Sequence, residues 1–459
     1  MQEIRNEMNV DDPVREEFLT KALGCLMLKN ILPAVTSVLF ILLYQMVDGI
    51  LVGRRLGPEA LASVNILYPI IALISGLAIM IGVGGNAKIA VLLGKGETSK
   101  ARSILSLIVL VGIGIGLGSN IIILLANRSI LVFLGTSGSL GYFAGEYLNV
   151  LHFFFTPMIL IFILEQSVRN DGRANFATGL MGATAVLNIF LDYLFLFRFN
   201  MGIGGAALAT GISQSLGAII FLGYFINKTK RKVSGLSFGD ISGSSREIIP
   251  IVGNGSSELF NSIALGITTF IYNKLIINYV GALGVAAFTI VQYIMFIGIA
   301  IFIGMANGSQ PIISYNFGGG LMDRVYGALK RLLTVSTILS LIIFLIIRVK
   351  AESLVEIFIP GEPEAIKLTL RVAIYMSWSI LFMPVGIIGS VYFTALEKPK
   401  KSLVVAASQS IIFTILGLIT FPLVLGDIGI WITPVFAEGV TSLVAILLMY
   451  RWKKQNYAY

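Results

Sequence analysis

The sequence predicts an all-α polytopic membrane protein, with twelve transmembrane helices in two pseudo-symmetric six-helix lobes. Three observations carry that prediction. Of 459 residues, 56% are hydrophobic and 12% are charged, about half the charged share of a soluble domain, and the mean hydropathy is +0.90. Apolar runs of about 20 residues, enough to cross a hydrocarbon core of about 30 Å, recur twelve times. The first half of the chain also matches the second at a constant offset of 224 residues.

The chain opens with residues 1–27, where MQEIRNEMNVDDPVREEF mixes acids with bases. That stretch lacks the basic-then-apolar form of a cleaved signal and reads as a cytoplasmic tail. The twelve runs then lie near 28–52, 60–86, 103–126, 147–169, 176–199, 203–226, 248–276, 282–309, 326–348, 367–393, 402–424 and 429–450. Helices are expected throughout, since the short alternating segments of a membrane barrel are absent. Pro33 lies in the first half of the first run, where it frees a carbonyl and marks a bend. Residues 28–226 form the expected N-terminal lobe and 248–451 the C-terminal lobe. Between them, 227–247 is polar, rich in Ser and Gly, and reads as a cytoplasmic linker. Residues 452–459 read as a cytoplasmic tail.

Positive charge gathers in alternate loops. Lys88, Lys95, Lys100 and Arg102 follow the second run, and Lys228, Lys230, Arg231 and Lys232 follow the sixth. Arg324, Lys330 and Arg331 follow the eighth, and Lys398, Lys400 and Lys401 the tenth. The loop between the ninth and tenth runs also holds Lys and Arg, together with Glu352, Glu356, Glu362 and Glu364. The positive-inside bias places both termini in the cytoplasm of a plasma or inner membrane. The net charge of +9 is explained by this topology, and nucleic acid is not expected as a partner.

The repeat is carried by glycines. At the 224-residue offset Gly57 falls on Gly281, Gly84 on Gly308, Gly94 on Gly318, Gly96 on Gly320 and Gly205 on Gly429. Six runs per half mean that both halves enter the membrane in the same sense, a plan known among secondary transporters.

Carboxylates inside apolar runs are costly, at least ~2.5 kcal/mol each, and need a reason. Asp192 lies deep in the fifth run, within LNIFLDYLFLF, with Asn188 one turn earlier on the same face. Asp48 lies late in the first run, with Tyr44 and Gln45 on adjoining positions. The second half holds Tyr272 where the first holds Asp48, and Leu416 or Leu418 where the first holds Asp192. The fold therefore does not require these acids, which favours function over scaffolding. Their alternative role is to tie helices together by hydrogen bonds. The second half has its own polar face. Asn254, Glu258 and Asn261 follow helical spacing, and Gln292, Asn307 and Gln310 add amides on the next run. Substrate contact and packing are both open readings for these residues. Glu165 and Arg169, one turn apart, are read as a local ion pair, and Glu438, which matches Gln214, as structural.

No enzyme constellation appears. One cysteine, Cys25, and one histidine, His152, preclude an internal disulfide and clustered zinc ligands. GKGETSK at Gly94–Lys100 lacks the spacing of a nucleotide-binding loop and follows no strand. No cofactor is expected, and energy has to come from an ion gradient.

At this point the residues resemble a known family. DGILVGRRLGPEALASVNI, VRNDGRANFA, LNIFLDYLFLF, MGIGGAALATGISQ and SQPIISYNFGGG together are similar to the multidrug and toxin extrusion (MATE) transporters, most closely a bacterial branch of multidrug exporters. The resemblance covers nearly all of the chain beyond the N-terminal tail. It implies the MATE/MOP-type fold and a cation-coupling site formed by Asp48, Asn188, Asp192 and Thr210, with Pro33 linked to helix bending. It also implies an antiporter that exports drugs or amphipathic, mainly cationic metabolites in exchange for H⁺ or Na⁺. Na⁺ at that site is the only metal expected. Tyr44, Gln45, Asn254, Glu258, Gln292 and Asn307 are candidates for the substrate cleft. The expected partners are a small-molecule substrate, a coupling cation and the lipid bilayer, with the chain acting as a monomer. Two alternatives stay open at this level: a lipid-linked saccharide flippase of the same superfold, and a membrane sensor without transport.

Overall fold

The computed structural model describes residues 12–136, 138–232, 234–241, 244–356 and 363–456. Residues 1–11 of the expected N-terminal tail, 457–459 of the C-terminal tail, Glu362 and parts of the linker lie outside the described residues. Twelve helices among the described residues are long and apolar enough to cross a membrane. They are span 1 (Leu23–Leu56), span 2 (Pro58–Lys95), span 3 (Thr98–Phe133), span 4 (Gly138–Asn170), span 5 (Ala174–Arg198), span 6 (Gly202–Lys230), span 7 (Ser245–Tyr279), span 8 (Ala282–Gly318), span 9 (Met322–Glu356), span 10 (Pro363–Ala395), span 11 (Pro399–Leu425) and span 12 (Asp427–Asn456). Most run past the apolar limits expected from sequence. Hydropathy marks where lipid ends, whereas helical hydrogen bonding continues into polar flanks such as Lys88–Lys95. The first span likewise starts at Leu23, and a further short helix, Pro13–Thr20, precedes it, capped by the Asp12 carboxylate on the Val14 N–H at 2.9 Å.

The repeat is visible in the backbone. Gly57 turns the chain between spans 1 and 2 with φ +89°, and Gly281 does so between spans 7 and 8 with φ +88°. Only glycine takes that region without strain. Spans 4 and 10 are each interrupted by a 3₁₀ segment, His152–Phe154 and Ser377–Leu381. Spans 5 and 11 each contain a π-turn, though at different depths: Leu194–Arg198 ends span 5, whereas Ser408–Ile412 lies in the first half of span 11. Span 1 runs unbroken through Pro33.

The two lobes meet through span 1 against span 8, span 2 against span 7, and span 2 against span 8. Those seams obey the same two-fold relation. Gly84 lies on the backbone of Ile251 and Gly255, and its repeat mate Gly308 lies on Asn30 and Ile31. Gly94 lies on the Tyr315 carbonyl, and its mate Gly318 lies on the Val91 carbonyl. Any Cβ at these positions would overlap the opposing backbone. Within a bilayer, close helix contact rests on van der Waals packing between small residues, because burial from lipid supplies little drive. These contacts lie in the half of each span nearest the end that carries the described chain termini. Polar bonds reinforce them there. The Gln310 amide donates to the Val83 carbonyl at 3.0 Å, the Tyr315 hydroxyl donates to the Asn170 carbonyl at 2.7 Å, and Lys88 reaches Glu247 and Glu397 at 3.4 Å each.

Candidate functional site

Inside the first lobe, spans 1, 5 and 6 bring four predicted residues together. Asn188 and Asp192 sit one turn apart on span 5, 2% and 0% exposed. One residue after Asp192 the π-turn begins at Leu194, a local unwinding often found beside functional groups. Thr210 of span 6 faces Asn188, with the amide nitrogen 3.3 Å from the hydroxyl oxygen. Turning the Asn188 amide over satisfies more groups. Its nitrogen then donates to Asp192 Oδ2 at 3.2 Å, and its oxygen accepts from the Thr210 hydroxyl and N–H at 3.3 Å each.

Asp48 of span 1 completes the cluster. Its carboxyl lies within side-chain hydrogen-bonding reach of Asp192. Asp48 Oδ1 and Asp192 Oδ1 are both buried with no protein partner. Neither acid forms an ion pair with a basic residue among the described residues. Two carboxyls in reach of each other, with an orphaned oxygen on each and a neutral amide and hydroxyl beside them, form a carboxylate-centred set suited to one proton or one hard monovalent cation. No group of three or more His, Cys, Asp and Glu side chains that could hold a metal ion occurs among the described residues.

Two neighbours of this cluster were not singled out from sequence. Gln214 of span 6 donates to the Tyr44 hydroxyl at 3.2 Å. Tyr147 of span 4, 4% exposed, lies within electrostatic range of both carboxyls. Gln214 carried a usable signal, since it matches Glu438 in the repeat, whereas Tyr147 looks like any interfacial aromatic. Gln45 is exposed and lies beside Tyr44.

Pro33 stands apart from the cluster. Its carbonyl accepts from the Thr178 hydroxyl at 2.7 Å. Arg169 pairs with Glu165 at 2.8 Å and donates to Ser37 at 2.8 Å, so this buried network ties spans 1, 4 and 5 together around the proline.

The predicted residues of the second lobe divide. The Asn254 amide donates to the Thr394 carbonyl at 2.9 Å, and Asn261 accepts from Ser410 at 2.5 Å, so both tie helices together. Glu258, Gln292 and Asn307 are partly exposed, and their side chains make no hydrogen bond to the described residues.

The sequence model of the MatE family matches this chain twice, over residues 33–194 and 259–419. The chain belongs to the MatE family. The paired matches fall one on each lobe. The chain is 25% identical over 418 residues to the multidrug export protein MepA of Staphylococcus saprophyticus, covering 91% of each chain. It is 24% identical over 422 residues to MepA of Staphylococcus aureus strain MRSA252, covering 91% of this chain and 92% of that one. Its fold matches the structure described as MATE in complex with MaL6, with a TM-score of 0.92 at 22% identity over 98% of this chain and 100% of that one. It also matches an outward-facing conformation of a multidrug resistance MATE family transporter of the MOP superfamily, with a TM-score of 0.89 at 23% identity over 96% of this chain and 100% of that one. As a MatE family member this chain is a multi-pass membrane protein of a transporter family.

Proposed function

We propose that this protein is a secondary antiporter that exports amphipathic, mainly cationic small molecules in exchange for H⁺ or Na⁺. The observation that carries the reading is the contact between Asp48 and Asp192, two acids of one lobe with no basic partner. Such a pair changes charge when a cation binds, and a change of charge inside a membrane changes which helix packing is favoured. The names of the similar proteins, multidrug export protein and multidrug resistance transporter, support drugs as substrates.

The working cycle has the lobes 28–226 and 248–451 rocking about the seam, with 227–247 as a cytoplasmic linker and both termini cytoplasmic. Substrate enters from the cytoplasm into a cleft lined by Tyr44, Gln45, Glu258, Gln292 and Asn307. A cation entering from outside reaches Asp48, Asn188, Asp192 and Thr210, neutralises the acid pair and lets spans 1 and 5 repack. Pro33 gives span 1 the weak point about which it moves, since its nitrogen cannot complete the helical ladder. Substrate is then released outward and the cation inward. One charge moving down 100 mV yields ~2.3 kcal/mol, enough for roughly fifty-fold accumulation.

The test is uptake of a fluorescent organic cation, ethidium, into everted vesicles containing the full chain. Uptake has to depend on an imposed pH or Na⁺ gradient, and collapse of one of the two identifies the ion. Uptake indifferent to both gradients would overturn the antiport reading.

A further inference from the structure

The second lobe holds a buried carboxylate that the acid pair of the first lobe does not use. Glu438 of span 12 is 8% exposed. Both of its oxygens accept from the Gln409 amide nitrogen, at 3.1 Å each. Gln409 stands on the π-turn Ser408–Ile412 of span 11. Gly386 of span 10 leaves room for it, since a Cβ there would come to 3.3 Å from the Gln409 amide. One turn beyond Glu438, the Thr441 hydroxyl is buried without a partner.

Spans 7, 10 and 11 pack on span 12. Among the described residues, span 7 contributes one titratable group within electrostatic reach of Glu438, Tyr272, 8% exposed. Span 11 faces Glu438 with Gln409, span 10 presents Gly386 to Gln409 and Thr441, and no lysine or arginine pairs with Glu438 among the described residues. A buried carboxylate served by one neutral amide is poorly compensated while ionised. It is well served when protonated, because the Gln409 amide can turn its oxygen toward the acid proton.

The repeat gives this arrangement a meaning. Glu438 matches Gln214, and Tyr272 matches Asp48. In the first lobe the acid is on the first span of the pair and the amide on the sixth. In the second lobe the acid has moved to the partner span and a tyrosine takes its place. The first and sixth spans of each lobe thus carry a carboxylate between them, on span 1 in the first lobe and on span 12 in the second.

We propose that Glu438, held by Gln409, is a proton-binding site of the second lobe, separate from the cation site of the first. Protonation removes a formal charge from the buried part of the contact between span 12 and span 11. The site then changes state with pH independently of Asp48 and Asp192. Only its effect on export rests on the antiport reading, and proton binding itself does not.

The experiment is infrared difference spectroscopy on the purified full chain across a pH titration, in an Asp48→Asn, Asp192→Asn background. A carboxylic acid band that titrates in this background is expected to vanish with Glu438→Gln and to persist, displaced, with Glu438→Asp. An unchanged set of titrating bands after Glu438→Gln would overturn the proposal and leave Glu438 as a packing residue. Where Glu438→Gln does not elute as a monodisperse species, Gln409→Leu carries the test. Loss of the donor that serves the ionised form is expected to raise the midpoint of the Glu438 band by about one pH unit, and an unmoved midpoint would overturn the proposal equally. A titrating Glu438 in a protein whose vesicles fail the gradient test would sink the antiport reading alone.

Discussion

The ring of Phe18 lies flat on that of Tyr315, with centroids 4.3 Å apart and planes inclined by 10°. Phe18 is on the short N-terminal helix and Tyr315 near the end of span 8. Tyr315 in turn sits on Gly94 of span 2 and bonds to Asn170 at the end of span 4. The same short helix reaches the first lobe, where Arg15 donates to the Gly94 carbonyl at 3.2 Å. It is fastened to the second lobe by Arg324, which donates to the carbonyls of Phe18 at 3.2 Å and Lys21 at 2.8 Å. The helix therefore ties the two lobes together at the seam, and in the rocking cycle proposed above it releases one lobe when the seam opens. Phe18→Ala is expected to remove about 2 kcal/mol from the closed-seam state, roughly a thirty-fold shift in the equilibrium. Spin-label distances across the seam would read that shift, and an unchanged distribution would show that the strap is passive.

Asp48→Asn and Asp192→Asn are each expected to insert and fold, since removing a membrane charge eases insertion, and to lose gradient-driven efflux. Membrane abundance and ethidium transport in the same vesicles separate the two effects. Normal efflux by both variants would remove the pair from the coupling site, while reduced abundance would favour a packing role.

Gly84→Ala and Gly318→Ala are expected to hold the seam apart, because the added methyl meets opposing backbone rather than a movable side chain. Transport should fall at least ten-fold in each, with reactivity of seam cysteines to a soluble thiol reagent rising. Gly114→Ala, which meets nothing within 4 Å, is the control. Equal activity of all three variants would mean that the seam tolerates the displacement and does not gate transport.

The loop after span 6 is expected in the cytoplasm. A cysteine at Lys230, an exposed position, introduced after replacing Cys25, should resist an impermeant thiol reagent in intact cells and react once they are opened. Labelling in intact cells would reverse the topology.

Spans, repeat and acids were all readable without coordinates, each for a physical reason. Lipid selects long apolar runs, so the twelve helices are written in composition. Close backbone approach selects glycine, so Gly84 and Gly308 mark equivalent seams. A carboxylate in such a run is rare enough to stand out, and helical spacing alone puts Asn188 beside Asp192. Which distant residues share a pocket is another matter, because periodicity fixes a face of a helix and not what that face meets. The family resemblance named Asp48 and Asp192 together, but helical spacing could not, and only the packing of spans 1 and 6 brought Gln214 to Tyr44. Asn254 shares helical spacing with Glu258, and only the tertiary structure shows that its amide nitrogen donates to the Thr394 carbonyl. The strap was missed for a related reason. Pro13–Thr20 is too short and too polar for hydropathy to mark it, and its position rests on Tyr315 and Arg324, some 300 residues away in sequence, whose proximity only the folded chain decides.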